Sequence, residues 1–365
     1  MVRFGPWSTT LGLGALFALA VAAALLADPA QRRANRWVAA LLAVIALRMV
    51  PYVIGYAGFY DAYPWLSFAP FDHALAIGPL LWLHVQQRTR TALPPRWAWH
   101  LLPAAAVALY DTACFLQPLA WKNHWDETVH ARFVDPVLTW AGLISLGVYL
   151  ALAWRRHCEF QAWLAQHVSN AAEHRYGGLA GTLVALGLLL AVSLPYEAAT
   201  AIWRLDYFDR FGLYLALTVL VFALGLEAWR HAGQRHPLQP AARPVEPPAP
   251  RPAPDWAAQG AAWRARTEAE GWFRDPELAL DGLARRLGTN SSYLSRAFNE
   301  GLGQGFAEVI GGLRVAWVQQ RLEAGSAEDL LDLALLAGFS SKTSFNRVFK
   351  AQTGQTPSAW RRARS

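Results

Sequence analysis

The chain is short of cysteine, methionine and charge. Its 2 cysteines in 365 residues, Cys114 and Cys158, exclude a disulfide framework and any cysteine-based metal motif. Charged residues make up 16% beside 54% hydrophobic residues and 18 tryptophans, too few for a single soluble domain of this length. The motifs of common catalysts are missing too: there is no HExxH pair, no glycine-rich phosphate loop and no serine on a recognisable nucleophile elbow. The nearest serine motif, GLISLG at Gly142–Gly147, lies in an apolar block where small residues serve helix packing. Two halves with interrupted helices, expected of a secondary transporter, are also absent from the sequence. A transporter or an intramembrane enzyme with a cytoplasmic regulatory tail is therefore the weaker alternative, and neither a cofactor nor a metal is expected. Bulk basicity is weak, with a net charge of +3 over residues 1–231 and +4 over 232–365, so any nucleic-acid argument must rest on placed residues.

What the chain has is apolar residues gathered into blocks of span length. Seven blocks stand in the first 230 positions: Thr9–Ala27, Trp37–Gly55, Leu66–His84, Trp97–Leu116, Val137–Trp154, Leu179–Trp203 and Phe211–Trp229. Segments such as ALFALAVAAALLA hold almost no polar residue, where a soluble amphipathic helix would show one every third or fourth position. They are expected to cross a bilayer as helices. Connections after the odd-numbered blocks carry Arg32, Arg33, Arg36, Arg88, Arg90, Arg96, Arg155, Arg156, Arg175, Arg230 and Arg235, and the opposite set carries Arg3, Lys122, Arg132, Arg204 and Arg210. Because 11 basic residues face 5, the amino terminus is expected outside and the carboxyl terminus in the cytoplasm. A cleaved signal peptide is the competing reading of the first block, but it would leave Arg32, Arg33 and Arg36 outside. Tyr60, Tyr63, Trp65, Trp121 and Trp125 read as interfacial anchors near the outer ends of the spans.

Ionisable residues inside apolar blocks are costly, which makes Arg48, Asp72, His73, Asp111 and Glu197 candidates for a sensor pocket for an extracytoplasmic or membrane-borne signal. Following the topology, Asp72, Asp111 and Glu197 fall in the outer half and Arg48 near the middle of its span, so one cavity could gather them. A structural Arg48–carboxylate pair is the competing reading. Pro195, two residues before Glu197, marks a kink where packing can change. His84 and His100 stand near inner span ends, where an interfacial role outweighs metal ligation.

Residues 232–255 are rich in proline, alanine and arginine and form a linker. At about 3.1 Å per residue it reaches roughly 75 Å.

Beyond it the periodicity changes. In Asp329–Arg362, two short helical patterns meet at Gly338-Phe339, where Gly338 can take the positive φ of a tight turn and the small Ala334 lets two helices cross closely. Ser340 or Ser341 can cap the following helix, which turns Phe345, Val348 and Phe349 inward and Lys342, Thr343, Asn346 and Arg347 outward. An earlier segment, Leu278–Phe306, repeats the pattern with Ala284, Gly288, Leu294 and Phe298, leaving Ser291, Ser292, Ser295 and Arg296 outside. A helix over Phe306–Leu322 joins the two, weakened by Gly311-Gly312 at about 1 kcal/mol per glycine. At about 27 Å it nearly matches the spacing of successive major grooves, about 34 Å.

The run Leu333-Ala334, Gly338-Phe339-Ser340, Ser344-Phe345, Arg347, Phe349-Lys350, Gly354, Thr356-Pro357 and Trp360-Arg361 resembles the AraC/XylS family of bacterial transcription regulators, over about 100 residues from Trp256 to Ser365. Val318 and Arg321 depart from the family's pattern. The resemblance implies base contacts from Arg296 and Arg347. The expected architecture is all-α: a seven-span transmembrane sensor bundle (1–231), the linker (232–255), and a soluble seven-helix AraC-type domain (256–365) with two helix-turn-helix units. The expected protein is a one-component regulator in the bacterial cytoplasmic membrane. Double-stranded promoter DNA and the lipid bilayer are its expected partners, with RNA polymerase and a second copy of the chain as further candidates.

Overall fold

The structure is a computed structural model that describes residues 2–29, 32–168, 177–203, 208–230, 239, 255–325 and 328–363. Arg175, Arg204, Arg235 and all of the linker except Gln239 and Asp255 lie outside the described residues. Every regular element among those described is helical. The chain divides into two compact units, Met1–His157 with Gly177–Ala241 and Cys158–Tyr176 with Ala242–Ser365.

The first unit contains α1 (Pro6–Ala27), α2 (Arg32–Tyr56), α3 (Phe59–Ala62), α4 (Ala74–Thr89), α5 (Leu102–Phe115), α6 (Leu119–Trp125), most of α7 (Asp135–His167), α8 (Gly177–Trp203) and α9 (Phe211–Arg230). Five helical segments, Pro6–Ala27, Asn35–Tyr56, Leu119–His167, Leu179–Thr200 and Phe211–Arg230, are long and apolar enough to cross a membrane. Their exteriors are apolar: Leu16, Ile144, Leu188 and Val219 are each more than 60% exposed. Small residues bring the helices together. A Cβ on Gly14 would stand 2.6 Å from Thr218 Cγ2, and one on Gly78 would stand 3.1 Å from the Ser145 carbonyl oxygen. Such close backbone approach suits helices that pack without a hydrophobic driving force between them. Ser145 of the GLISLG segment thus lies at a contact between α4 and α7, in keeping with a packing role.

The third and fourth apolar blocks differ from the sequence expectation. Residues 67–73 are not helical, Phe68 has φ of 62°, and α4 begins only at Ala74. Pro70 disfavours the helical region for Ala69, and Asp72 Oδ1 accepts a hydrogen bond from Ala74 N–H at 2.9 Å, so the helix starts after Asp72. Asp72 and His73 therefore stand at the entry to α4 and not inside a span. The 16 residues of α4 extend about 24 Å. In the fourth block a 3₁₀ turn over Trp97–Leu101 precedes the 14 residues of α5, together about 31 Å. The segment between α6 and α7, Asp126–Val134, is a π-helical run, which makes Leu119–His167 helical throughout its 49 residues.

The second unit contains α10 (Trp256–Ala269), α11 (Leu280–Leu287), α12 (Ser291–Arg296), α13 (Phe306–Glu323), α14 (Leu330–Leu336), α15 (Lys342–Thr353) and α16 (Pro357–Arg362). Two cores form around α13. One gathers Phe273, Leu280, Leu283, Leu294, Phe298 and Ile310, and the other Val315, Val318, Leu333, Phe339, Phe345 and Phe349. Trp317 packs against both.

Candidate functional site

The ionisable residues of the first unit share an ion pair but not one cavity. Arg48 Nη1 on α2 stands 2.5 and 2.6 Å from the two carboxylate oxygens of Asp72. Arg48 and Glu197 line a cavity of about 60 Å³ with Thr139, Ser193 and Tyr214. Asp72 and Asp111 line a second of about 310 Å³ with Tyr60, Lys122, Asp126 and His130. The Arg48–Asp72 pair therefore stands between two cavities, where the sequence suggested a single one. His73 lines neither and is the residue before α4. Lys122 is 2% exposed, and its ammonium donates to the carbonyls of Trp65 and Ser67 at 2.9 and 3.2 Å, so it is buried where a solvated connection was expected. Both cysteines are free. His84 is buried, and His100 Nδ1 is 2.8 Å from the Tyr149 hydroxyl.

In the second unit, α14 and α15 meet as the periodicity requires. Gly338 has φ of +92°. Ser341 is the residue that caps α15, its hydroxyl accepting from Ser344 N–H at 3.2 Å. Phe345 and Phe349 are buried and Val348 is half-buried, while Lys342, Thr343, Asn346 and Arg347 are exposed on the opposite face. Lys342 and Arg347 have no hydrogen-bond or ion partner among the described residues. A regular helix of 12 residues thus presents two cations and two short polar groups together.

The earlier unit differs in detail. Gly288 makes the turn with φ of +74°, and Asn290, not a serine, caps α12 by accepting from Tyr293 N–H at 2.8 Å. Ser292 is exposed, while Ser291 and Ser295 are half-buried, with Ser295 Oγ accepting from Asn299 Nδ2 at 3.1 Å. The helix has 6 residues before it widens into a π turn over Ala297–Gly301. Arg296 is exposed but engaged: Nε and Nη2 donate to the two Glu300 oxygens at 2.9 and 3.2 Å, and the guanidinium lies 4.7 Å from the Trp256 ring. The hydrogen bond to Glu300 raises the Arg296 pKa, and the one from Arg296 lowers that of the Glu300 carboxyl. Arg296 and Arg347, equivalent in sequence, are therefore not equivalently presented.

The joining helix α13 is unbroken over 18 residues, and its glycines have a packing use. A Cβ on Gly311 would stand 3.0 Å from Val348 Cγ1, so the missing side chain lets α15 lie close against α13. Arg314, also on α13, is 0% exposed. It donates to the carbonyl of Phe273 at 2.7 Å and that of Asp275 at 2.8 Å, and its guanidinium is 5.7 Å from the Phe339 ring. A Cβ on Gly338 would fall 2.5 Å from the Arg274 carbonyl oxygen. The 3₁₀ turn Trp272–Arg274 thus wedges between Arg314 and the turn of the second unit. These contacts bind the two helix-turn-helix units together more firmly than the Gly311-Gly312 pair suggested.

Residues 283–363 match the family model of the helix-turn-helix domain. Those residues form a helix-turn-helix domain. Uncharacterized HTH-type transcriptional regulators of Staphylococcus aureus are 39% identical over 85 residues, 23% of this chain and 11% of theirs. The right origin-binding protein of Escherichia coli (strain K12) is 34% identical over 89 residues, 24% of this chain and 30% of its own. This chain thus spans between about a tenth and a third of the curated relatives it matches. Among solved structures, the C-terminal domain of AraT, a response regulator from Geobacillus stearothermophilus, is 24% identical and covers 29% of this chain and 84% of its own, with a TM-score of 0.26.

The helix-turn-helix match leaves out α10 and the 3₁₀ turn Trp272–Arg274. Both lie close to parts of the helix-turn-helix domain. A Cβ on Gly260 would stand 2.5 Å from the Ala297 carbonyl oxygen, and one on Gly301 would stand 2.0 Å from that of Trp256, so α10 lies directly on the π turn behind α12. Trp256, Glu300 and Arg314 were missed by pattern reasoning. The i,i+4 spacing of Arg296 and Glu300 was a usable signal for one of them, whereas nothing local marks Arg314 as buried.

Proposed function

We propose that the chain is a membrane-tethered transcription regulator whose helix-turn-helix domain reads promoter DNA under the control of its apolar first unit. The observation that carries the reading is the exposed face of α15, where Lys342, Thr343, Asn346 and Arg347 stand on a capped, well-packed helix. Arginine can donate two parallel hydrogen bonds to guanine O6 and N7, and the helix start suits phosphate. Arg347 is the base reader, Thr343 and Asn346 flank it, and Lys342 takes the backbone. In the earlier helix-turn-helix Ser291, Ser292 and Ser295 read shape and water-mediated contacts, with Arg296 entering once it leaves Glu300. The site is bipartite, with halves about one helical turn apart.

The apolar exteriors of the first unit support a seven-span sensor (1–231) in the bacterial inner membrane, with the amino terminus outside and the linker leading to a cytoplasmic domain (256–365). The blocks too short to span alone are α4 and α5, which cross with the help of the turns that flank them. Arg48, Asp72, His73, Asp111 and Glu197 form its sensing region, and RNA polymerase and a second copy of the chain are the further partners. The test is genome-wide DNA occupancy of the intact protein: discrete sites sharing a bipartite sequence are expected. Uniform or absent occupancy under every growth condition would overturn the DNA-reading role.

A further inference from the structure

One linker residue is held in place by the first unit. Gln239 lies between Pro237 and Pro240, and a residue before proline is confined to extended backbone, the conformation a strand-like pairing needs. Just after α4, Arg90 is also extended (φ −131°, ψ 153°). The two residues form a parallel bridge, in which Gln239 N–H donates to the Thr89 carbonyl at 3.1 Å and the Gln239 carbonyl accepts from Thr91 N–H at 3.2 Å. The side chain is held as well, because Arg156 Nη2 on α7 donates to Gln239 Oε1 at 2.7 Å. Arg156 is itself fixed by Thr89, with Nε donating to its hydroxyl at 2.9 Å and Nη2 to its carbonyl at 3.1 Å. Thr89 is 0% and Arg156 4% exposed, so this receptor is rigid and built into the unit.

Its position along α4 gives the contact a further meaning. The helix begins two residues after Asp72, the partner of Arg48, and ends on Thr89, the partner of Gln239. Residues Ala76–Thr89 are all buried, and Gly78 lets α4 sit against the Ser145 backbone of α7, the helix that carries Arg156. A displacement at the Arg48–Asp72 end has no soft segment in which to dissipate before it reaches Thr89, apart from the missing hydrogen bond at Pro79.

We propose that Gln239 is a latch through which the first unit grips the linker and shortens the tether of the DNA-reading domain, and that α4 connects this latch to the Arg48–Asp72 pair. The inference rests on the reading of the chain as a tethered DNA-binding regulator. Gripped at Gln239, the tether is residues 240–255, about 50 Å of extended chain against about 75 Å for 232–255. Release therefore lets the domain reach DNA about 25 Å farther from the bilayer.

The contact and its effect are tested separately in the full-length protein. For the contact, Arg90→Cys with Gln239→Cys, in a background of Cys114→Ala and Cys158→Ser, is oxidised in isolated membranes; an intramolecular disulfide is expected. Its absence in a protein that inserts normally overturns the latch while leaving DNA reading untouched. For the effect, chromosomal occupancy is measured at equal protein level. Gln239→Pro, which removes the N–H donor, and Gln239→Ala, which removes the side-chain acceptor, are expected to raise it, because the released domain reaches DNA farther from the bilayer. Gln239→Glu strengthens the bond from Arg156 by giving it a charged acceptor and is expected to lower it. A merely structural residue would not give opposite signs. Equal occupancy in all three variants overturns the regulatory role even if the disulfide forms. If the unaltered protein occupies no specific sites, the DNA-reading role fails and the latch proposal falls with it, whatever the cross-link yield.

Discussion

Gly338→Ala separates two costs that a helix-turn-helix glycine can carry. The first is conformational: an alanine at a φ of +92° loses about 1–2 kcal/mol relative to the right-handed region. Gly288, its counterpart in the earlier helix-turn-helix, has φ of +74° and open space where a Cβ would stand, so Gly288→Ala incurs that cost alone. At Gly338 the new methyl would lie 2.5 Å from the carbonyl oxygen and 2.7 Å from the carbonyl carbon of Arg274. Backbone must move to admit it, and this backbone belongs to the 3₁₀ turn whose neighbouring carbonyls, Phe273 and Asp275, accept from the buried Arg314. Losing one hydrogen bond to a charged group adds about 1.5–3 kcal/mol. The expected totals are about 2.5–5 kcal/mol for Gly338→Ala and about 1–2 kcal/mol for Gly288→Ala. Native-state hydrogen exchange on the full-length protein reads both as the opening free energy of α15 and α12 amides respectively. Equal destabilisation at the two glycines would refute the close contact between the Arg274 backbone and the Gly338 turn.

Other expectations concern the two recognition faces and the first unit. Arg347→Ala should cost about 1–3 kcal/mol of binding and relax preference at one base position, while Lys342→Ala should weaken all sequences alike and lower the salt slope by about 1; binding to randomised sites at two salt concentrations reads both, and a uniform loss for Arg347→Ala would assign that residue to phosphate. Glu300→Gln should free Arg296 and tighten the first half-site, seen as a larger penalty for Arg296→Ala in that background than in the unaltered protein. Because the Arg296 bond holds the Glu300 carboxyl below its ordinary range, the pair's contribution is complete above that range and is lost only as pH falls through the lowered value; titration of the pair at neutral pH, followed by NMR of the Glu300 carboxyl, would contradict this. Arg48→Gln should change reporter output at normal expression, because it leaves Asp72 beside the cavities without its cation; output unchanged under all conditions tested removes the sensing role. A cytoplasm-active reporter should work when fused after Arg230 and fail when fused between Lys122 and Asp135, and the reverse pattern would invert the topology.

Periodicity and turn chemistry made the second unit readable. The spacing of Ala334, Gly338, Phe345 and Phe349 places each of them where a helix-turn-helix needs it, and the serines before Lys342 pointed to a cap that Ser341 supplies. The presence of long apolar helices was readable from the length of apolar runs, but their starts were not. The third block was read from Leu66, and the helix begins at Ala74, because an apolar run hides the local competition between Pro70, Asp72 and helix propagation. Least readable were contacts that join residues far apart in sequence. Arg314 reaches Phe273 and Asp275 across 41 and 39 positions, and Gly311 matters through Val348. A propensity scale prices that glycine as a weakness, whereas the fold uses it to seat the recognition helix.

The same distinction bears on how the two recognition helices divide their labour. In the later helix-turn-helix, α15 runs 12 residues with Lys342 and Arg347 unpartnered among the described residues, supported from behind by Gly311 and by the Trp360 ring against Phe349. In the first helix-turn-helix unit, α12 stops after 6 residues in a π turn against which α10 lies closely, and Trp256, the first residue after the linker, lies against the arginine. To bring Arg296 to a base, DNA must compete with both Glu300 and the Trp256 face, so the first half-site starts with a penalty that the second lacks. On the proposed reading, a pull on the chain at Asp255 would reach Trp256, the neighbouring residue, before any part of α15. Affinity can therefore reside in the second unit while sensitivity to the tether resides in the first.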